Sequence, residues 1–168
     1  KTIQVADKGL NCAENIIHAL QSGDGYIFSK SVKLLPETEV TWVLLDNDYR
    51  DVTDKNGNLL YRIKECVDDF TYTVTDSEGK KRKVQLPEKR VATFNPKLAE
   101  KQRLEIKKQV EKAIALKTAK AKKSEYGDCA KYVTFITTDK KGNETDGTVK
   151  AVLNEEVINK SLKLAGYN

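Results

Sequence analysis

The residue best placed for chemistry is Asp7, which follows the β-type run Thr2–Ala6 and begins an Asp-Lys-Gly turn. If this run is a parallel strand, Asp7 stands at its carboxyl end, where open α/β sheets place their ligands. A carboxylate there can hold a hard divalent cation through oxygen. The other interpretation is that Asp7 only forms the turn, and its position alone leaves both open.

Other polar and aromatic residues have simpler structural interpretations. Glu14 is placed to cap a helix, and His18 suits a surface or the edge of a core. Trp42 and the tyrosines are more typical of packing than of base stacking. The chain has no glycine-rich nucleotide loop, no GxSxG and no HExxH, so nucleotide-loop proteins, serine hydrolases and zincins find no support.

The three cysteines, Cys12, Cys66 and Cys129, are odd in number and widely spaced, and the chain has one histidine. This spacing predicts neither a zinc site nor a disulfide framework. We therefore expect three reduced thiols in a cytoplasmic protein, all reactive once the chain is unfolded.

Positive charge is concentrated between Lys97 and Lys123. Ten basic and three acidic residues give this segment +7, whereas the whole chain carries +5. Such a concentration favours local contact with a polyanion. The candidate nucleic-acid-binding residues are Lys101, Arg103, Lys107, Lys108 and Lys112. A lysine face that is only solvated is the alternative.

The first 35 residues predict the elements that position Asp7. Thr2–Ala6 and Gly25–Ser29 are β-type runs, and a helix is predicted between them from about Cys12 to Ser22. Asn11, three residues before Glu14, is expected to form a variant of the capping box at the helix start. Strand, helix and strand in this order favour a parallel pair with a right-handed crossover.

After Leu35 the pattern changes to a short helix behind Pro36, then β-hairpins and a long helix. Hairpin turns are predicted at Asn56-Gly57, at Ser77-Glu78-Gly79 and at Lys140–Asn143, the last joining Tyr132–Thr138 to Thr148–Leu153. A further strand is predicted over Val91–Phe94. Helices are predicted over about 95–121, with the apolar stripe Ala99, Ile106, Val110, Ala113 and Ile114 packed on the hairpins, and from Asn154 onward.

These elements divide the chain into an α/β segment (1–35), a β-rich region with the long basic helix (36–150) and a closing helix (151–168). The arrangement is typical of an insertion within another fold. No apolar run approaches the roughly 18 residues that a membrane span needs, so we expect no membrane contact. The chain also opens directly on a strand, and we expect it to be part of a longer protein.

Three sequence blocks carry a family resemblance: Val5–Asn11, Glu14-Asn15-Ile16 and Gly23–Ser29. Written as ADxGLxxxENI followed by GxGYIxS, they resemble the region around the second catalytic aspartate of DDE transposases from bacterial insertion sequences. The resemblance is to the branch with a β-rich insertion before its catalytic glutamate. Leu164–Tyr167 resembles the point where that family's chain re-enters its core, although Ala165 stands where an acidic residue is common.

The resemblance implies a partial RNase H-like core, α/β or α+β in class, that carries an insertion of antiparallel hairpins and one long basic helix. It implies an enzyme that cleaves and joins the ends of an insertion element with two Mg²⁺ or Mn²⁺ ions held by Asp, Asp and Glu. It also implies that the insertion region helps to bind DNA. Only Asp7 maps onto that triad, as catalytic residue and metal ligand. The other two would lie before Lys1 and beyond Asn168, so we expect this chain alone to be inactive and to bind no metal tightly.

The partners implied by the resemblance are transposon-end and target DNA in the bacterial cytoplasm, with self-association of the full-length protein. The exposed strands of residues 1–35 would contribute to that self-association. The hypothesis from a different class is a non-enzymatic nucleic-acid or protein-binding module that uses the basic helix, with Asp7 as a turn residue.

Overall fold

The amino-terminal segment folds as a strand, a helix and a second strand, as predicted. The computed structural model describes residues 2–76, 78–137, 141, 143 and 150–168. Strand β1 (Ile3–Ala6) is followed by helix α1 (Ala13–Gln21) and strand β2 (Gly25–Phe28). The two strands pair in parallel along their whole length, from Ile3 opposite Gly25 to Ala6 opposite Phe28.

The start of α1 differs from the prediction. Its N-cap is Cys12, which makes no side-chain capping bond, so the capping box at Asn11 is wrong. The Asn11 amide instead donates from Nδ2 to the carbonyl of Ser29 over 3.1 Å. A polar side chain beside a helix start can hydrogen-bond to any nearby backbone group. Here the Asn11 amide bonds to the carbonyl of Ser29, the residue directly after β2.

A short helix and a three-stranded antiparallel sheet follow. These elements are α2 (Glu37–Leu44), β3 (Arg50–Thr53), β4 (Leu59–Thr75) and β5 (Lys81–Phe94), with the sheet order β3-β4-β5. The short helix and both hairpins are confirmed, but Val91–Phe94 is the end of β5 and not a further strand. Pairing of β4 with β5 runs without a break from Arg62–Phe94 to Thr75–Lys81. Pro87 is tolerated inside β5 because this strand is at the edge of the sheet, where a missing N–H need not interrupt a ladder.

The two hairpin turns of this sheet use the same chemistry. In each, an aspartate Oδ1 (Asp54 or Asp76) accepts from the backbone N–H groups two and four residues later, at 2.8 to 3.0 Å. Each turn also has a glycine in the left-handed region, Gly57 at φ 82° and Gly79 at φ 80°. The Asn56-Gly57 prediction is therefore confirmed, whereas Ser77 of the second predicted turn lies outside the described residues.

The rest of the chain builds a second group of elements. They are α3 (Pro96–Thr118), a 3₁₀ segment (Lys123–Tyr132), β6 (Val133–Ile136), β7 (Lys150–Leu153) and α4 (Glu155–Lys163). Both helices begin where predicted, and their first residues are capped: Asn95 accepts from the N–H of Leu98 and Asn154 from that of Val157. Strands β6 and β7 pair antiparallel as predicted. Of the predicted ribbon and its turn, Thr138, Lys140, Gly142, Thr148 and Val149 lie outside the described residues.

The core of this group forms between α3 and the 3₁₀ segment. Ala113 packs with Tyr126 and Cys129, and Ile106 packs with Tyr132. The 3₁₀ segment was not predicted, although its buried residues recur every third position, which is the period of a 3₁₀ helix.

The apolar stripe of α3 is only partly as predicted. Ala99, Ile106 and Ala113 are buried, but the side chain of Ile114 is 44% exposed. Helix α3 lies against the 3₁₀ segment, β7 and α4. These partners cover a band of the helix too narrow to include Ile114.

The described part of the chain is α+β, with helices, the parallel β1–β2 pair and antiparallel sheets, and it divides into two compact units. The first unit comprises residues 1–94 with 167–168, and the second comprises 95–166. Within the first unit, Asn168 exchanges two backbone hydrogen bonds with Thr93 at the end of β5. No helix among the described residues is both long enough and apolar enough to cross a bilayer.

Candidate functional site

Asp7 directly follows β1, and its side chain is exposed. Its Oδ1 accepts a hydrogen bond from the Oγ hydroxyl of Ser29 over 3.1 Å. Ser29 directly follows β2, and parallel pairing brings the carboxyl ends of the two strands together. The carbonyl of Asp7 also accepts from the N–H of Leu10 at 3.0 Å. Asp7 therefore both forms the predicted turn and presents a carboxylate at the strand ends.

Two asparagine amides hold the loop that carries Asp7. Asn11 donates to the carbonyl of Ser29, and Asn15 donates from Nδ2 to the carbonyl of Leu10 over 2.8 Å. The Ser29 N–H donates to the carbonyl of Ala6 at 3.1 Å, which extends the β1–β2 ladder by one bond. These bonds limit the conformations of the loop on both sides of Asp7, so its carboxylate is held in a defined place.

Asp7 and Ser29 border a cleft of about 1100 Å³ within the first unit. Its lining combines aromatic side chains from β2, α2 and β4 with charged side chains from α2 and β5. Representative lining residues are Phe28, Trp42, Phe70, Glu39, Glu88 and Arg90. The cleft therefore has apolar walls with a small number of convergent polar groups, as ligand sites usually do.

A polar cluster centred on Glu88 lies in this lining. The Glu88 carboxylate accepts from the hydroxyls of Tyr26 and Tyr72, each at 2.7 Å, and from the Arg90 guanidinium at 3.2 and 3.3 Å. Arg90 also donates to Glu39 Oε2 at 2.5 Å. The side chain of Glu88 is only 8% exposed. The cluster joins β2, β4, β5 and α2, and we call it the Glu88 cluster.

The electrostatics of the Glu88 cluster favour neutral phenols and a charged guanidinium. Burial and the bond to Glu88 raise the pKa of Tyr72 to about 12, and the same causes raise the pKa of Tyr26 further. Burial acts to lower the pKa of Arg90, but the adjacent Glu39 carboxylate more than offsets it and the pKa is raised. Glu39 and Glu88 thus have a compensating cation, which is typical of a structural role.

Sequence reasoning missed the Glu88 cluster. The available signal was a pair of charged residues, Glu88 and Arg90, at alternate positions of β5 that share a face with Val84 and Leu86. Charged residues on the apolar face of a strand are seldom buried unless they are paired. The position of Tyr26, 62 residues away from Glu88, could not be read from that pattern.

The described residues do not by themselves form a metal site. No three His, Cys, Asp or Glu side chains in the described part of the chain lie close enough to bind one ion together. Asp7 and Ser29 provide one carboxylate and one hydroxyl, a smaller donor set than two hard cations require.

The five predicted nucleic-acid-binding residues are all exposed on α3. At about 100° per residue, Lys101, Lys108 and Lys112 fall within about 40° of one another around the helix. Lys97 falls on the same side. We call these four residues the basic row, and it extends about 22 Å along the helix.

The other two predicted residues lie elsewhere on α3. Arg103 and Lys107 point about 80° or more away from every member of the basic row, so the helix does not present all five side chains together. Arg103 donates from Nε to the carbonyl of Leu162 at 3.4 Å, near the end of α4. This bond gives Arg103 a structural partner within the second unit.

The other candidates have structural positions. His18 is exposed on α1, as expected of a surface residue. Glu14 is exposed in the first turn of α1, but the capping pair predicted with Asn11 does not form. Trp42 is half-buried, and its ring centroid lies 4.8 Å from the Lys64 Nζ. All three cysteines are free, with Cys12 exposed, Cys66 half-buried and Cys129 buried.

Comparison with known proteins gives no match: no protein-family model, no curated protein and no solved structure is significantly similar to this chain. The grounds for a functional assignment are therefore the residues and the geometry described above.

Proposed function

We propose that this chain is part of a DDE transposase of a bacterial insertion sequence, in which Asp7 is a catalytic metal ligand. One observation carries the proposal: Asp7 stands at the carboxyl end of a parallel strand, hydrogen-bonded to Ser29 at the end of the next one. This is where a hard cation can be shared between a protein carboxylate and phosphate oxygens. The ADxGLxxxENI and GxGYIxS motifs cover the same elements.

In this proposal β1, α1 and β2 belong to an RNase H-like core, and the elements from α2 to β7 belong to the insertion. Ser29 orients Asp7 through Oδ1, and Asn11 and Asn15 hold the loop between β1 and α1. Asp7 is one ligand of a pair of Mg²⁺ or Mn²⁺ ions. The proposal assigns the other ligands, an Asp and a Glu, to residues outside 1–168.

The test of catalysis uses the full open reading frame that encodes this chain. Asp7→Asn removes the negative donor while keeping the shape of the side chain, so strand cleavage at the element ends should be lost with little change in thermal stability. Asp69→Asn is the matched control, because Asp69 is exposed on β4. Cleavage that survives Asp7→Asn would refute the assignment.

The chain by itself gives a second test. Incubated with Mg²⁺ or Mn²⁺ and element-end DNA, residues 1–168 should not cut, because one carboxylate cannot hold both ions against their hydration. Specific, metal-dependent nicking by this chain would mean that it contains a complete acidic site, and the assignment of the other ligands would be wrong.

We further propose that the basic row of α3 binds DNA phosphates, which the exposure of its four lysines supports. Each phosphate that is neutralised releases counterions, so the logarithm of affinity should fall with the logarithm of salt by about 0.9 per contact. Reversing Lys101, Lys108 and Lys112 to Glu should reduce that slope by about 2.7. Reversing Lys33, Lys55 and Lys163, which are exposed elsewhere, is the charge-matched control.

The same observation also supports the second candidate, a non-enzymatic nucleic-acid-binding module. The Asp7→Asn variant distinguishes the two functions. A module predicts that only the basic-row variant loses function, whereas a transposase predicts that Asp7→Asn alone abolishes cleavage and leaves DNA affinity unchanged. If charge reversal of the basic row and of the control lysines have equal effects, the row is a solvated surface.

A further inference from the structure

Near its turn, the β4–β5 hairpin has one face that contains only uncharged polar and basic side chains. Three threonines of β4 lie directly opposite two lysines and a glutamine of β5, in the pairs Thr71–Gln85, Thr73–Lys83 and Thr75–Lys81. All six side chains are exposed. We call this surface the threonine–lysine face.

The orientation of the threonine–lysine face is set by burial on the other side of the ribbon. The intervening residues of β4, Tyr72 and Val74, are half-buried and 5% exposed, respectively. Successive side chains of a strand point to opposite faces, so the threonines and lysines point into solvent. Strand β3 pairs only with the other end of β4, from Leu59 to Ile63.

No interaction within the described part of the chain accounts for these six polar side chains. None of them forms a side-chain hydrogen bond or an ion pair with another described residue. The face also contains no carboxylate before the next pair on this side, Asp69–Pro87, where it ends. Exposed Thr residues aligned with Lys residues therefore form a continuous surface of hydrogen-bond donors with a net charge of +2.

The chemistry of this surface matches the backbone of duplex DNA. Hydroxyl, amide and ammonium groups are the usual donors to phosphate oxygens, and such contacts carry no sequence information. Lys81 and Lys83 lie about 7 Å apart along the strand. This distance equals about two phosphate-to-phosphate steps, at about 3.4 Å each, along the axis of one DNA strand. The face has no aromatic residue on which the bases of a single strand could stack.

We propose that the threonine–lysine face is a second DNA-binding surface, which contacts phosphates of duplex DNA independently of sequence. It rests on the proposed function in taking DNA as the ligand. It does not depend on the basic row, which is part of the second unit, whereas this face is part of the first.

The experiment measures binding of the purified chain to a short fluorescent duplex of arbitrary sequence, by anisotropy over a salt series. The variant Lys81→Gln/Lys83→Gln should lower the log–log salt slope by about 2, because two phosphate contacts are lost. Lys33→Gln/Lys55→Gln removes the same charge from exposed lysines of the same unit and should leave the slope unchanged. Thr71→Val/Thr73→Val should weaken binding about tenfold without changing the slope, since it removes only neutral hydrogen bonds.

The outcomes separate this inference from the proposed function. If the Lys81/Lys83 variant behaves like the control while the basic-row variant loses affinity, the face does not bind DNA and the proposed function stands. If the wild-type chain does not bind the duplex, neither the threonine–lysine face nor the basic row is a DNA-binding surface, whereas the role of Asp7 is tested separately by Asp7→Asn. Tighter binding to a single-stranded RNA that the Lys81/Lys83 variant abolishes would overturn the choice of duplex DNA. Unfolding followed through Trp42 should give the same midpoint for every variant, since all substituted side chains are exposed.

Discussion

Replacing Glu88 with Gln should destabilise the first unit by about 3 kcal/mol. The carboxylate is 8% exposed and accepts from two phenols at 2.7 Å and from Arg90. Gln keeps the volume but removes the charge, and it places an N–H₂ donor where other donors converge. A hydrogen bond to a charged group contributes about 1.5–3 kcal/mol. Arg90 retains Glu39 at 2.5 Å, which limits the loss.

The loss of stability of the first unit can be followed specifically in the whole chain. Trp42 is the only tryptophan of the chain and lies in α2, so its fluorescence during urea unfolding reports on this unit. A second readout is the tyrosinate absorbance. Without the Glu88 carboxylate, the pKa of Tyr72 should fall from about 12, yet stay above its ordinary value because burial is the larger cause.

The matched control is Glu65→Gln, on the same strand pair as Glu88. Glu65 is 41% exposed and pairs with Lys89 at 2.7 Å. Ion pairs in solvent contribute little to stability, so the urea midpoint should not move. Equal shifts for the two variants, or a loss below about 1 kcal/mol for Glu88→Gln, would refute the conclusion that the Glu88 cluster holds β2 against the long hairpin.

Four further results are expected. The fold favours the neutral phenol of Tyr72, so the contribution of this phenol to stability is complete below pH 10 and is lost as the pH rises toward about 12. Tyrosinate absorbance recorded together with Trp42 fluorescence measures this loss. Lys64→Ala should cost about 3 kcal/mol in urea unfolding, because the buried Nζ donates to the carbonyls of Trp42 and Leu45 at the end of α2, and exposed Lys83→Ala should cost nothing measurable. Tyr126→Phe should raise the stability of the second unit by about 1 kcal/mol in a thermal melt, because its buried hydroxyl has no partner among the described residues; a loss would show that it has one. A thiol reagent should modify Cys12 in the native protein and Cys129 only after unfolding, and equal rates would contradict the burial of Cys129.

Features that depend on neighbours along the chain were predictable from the sequence. The turn at Asn56-Gly57 and the helix starts at Asn95 and Asn154 are as predicted, because each is decided by residues within about four positions. The parallel pairing of β1 and β2 followed from the strand, helix and strand order. The same local logic placed Asp7 at the carboxyl end of β1.

Features that depend on distant partners were not predictable in the same way. Val91–Phe94 proved to be the end of β5 because its pairing with β4 determines where the strand stops. Asn11 does not cap α1, since a carbonyl 18 residues later takes its amide.

The candidate site shows the same division. The residue type and position of Asp7 came from the sequence, as did the concentration of lysines on α3. Only the tertiary structure brought Ser29 to Asp7 across 22 residues and Tyr26 to Glu88 across 62. The physical reason is that a side-chain contact depends on where strands and helices place their ends and faces, and that placement is set by packing of the whole unit rather than by local preference.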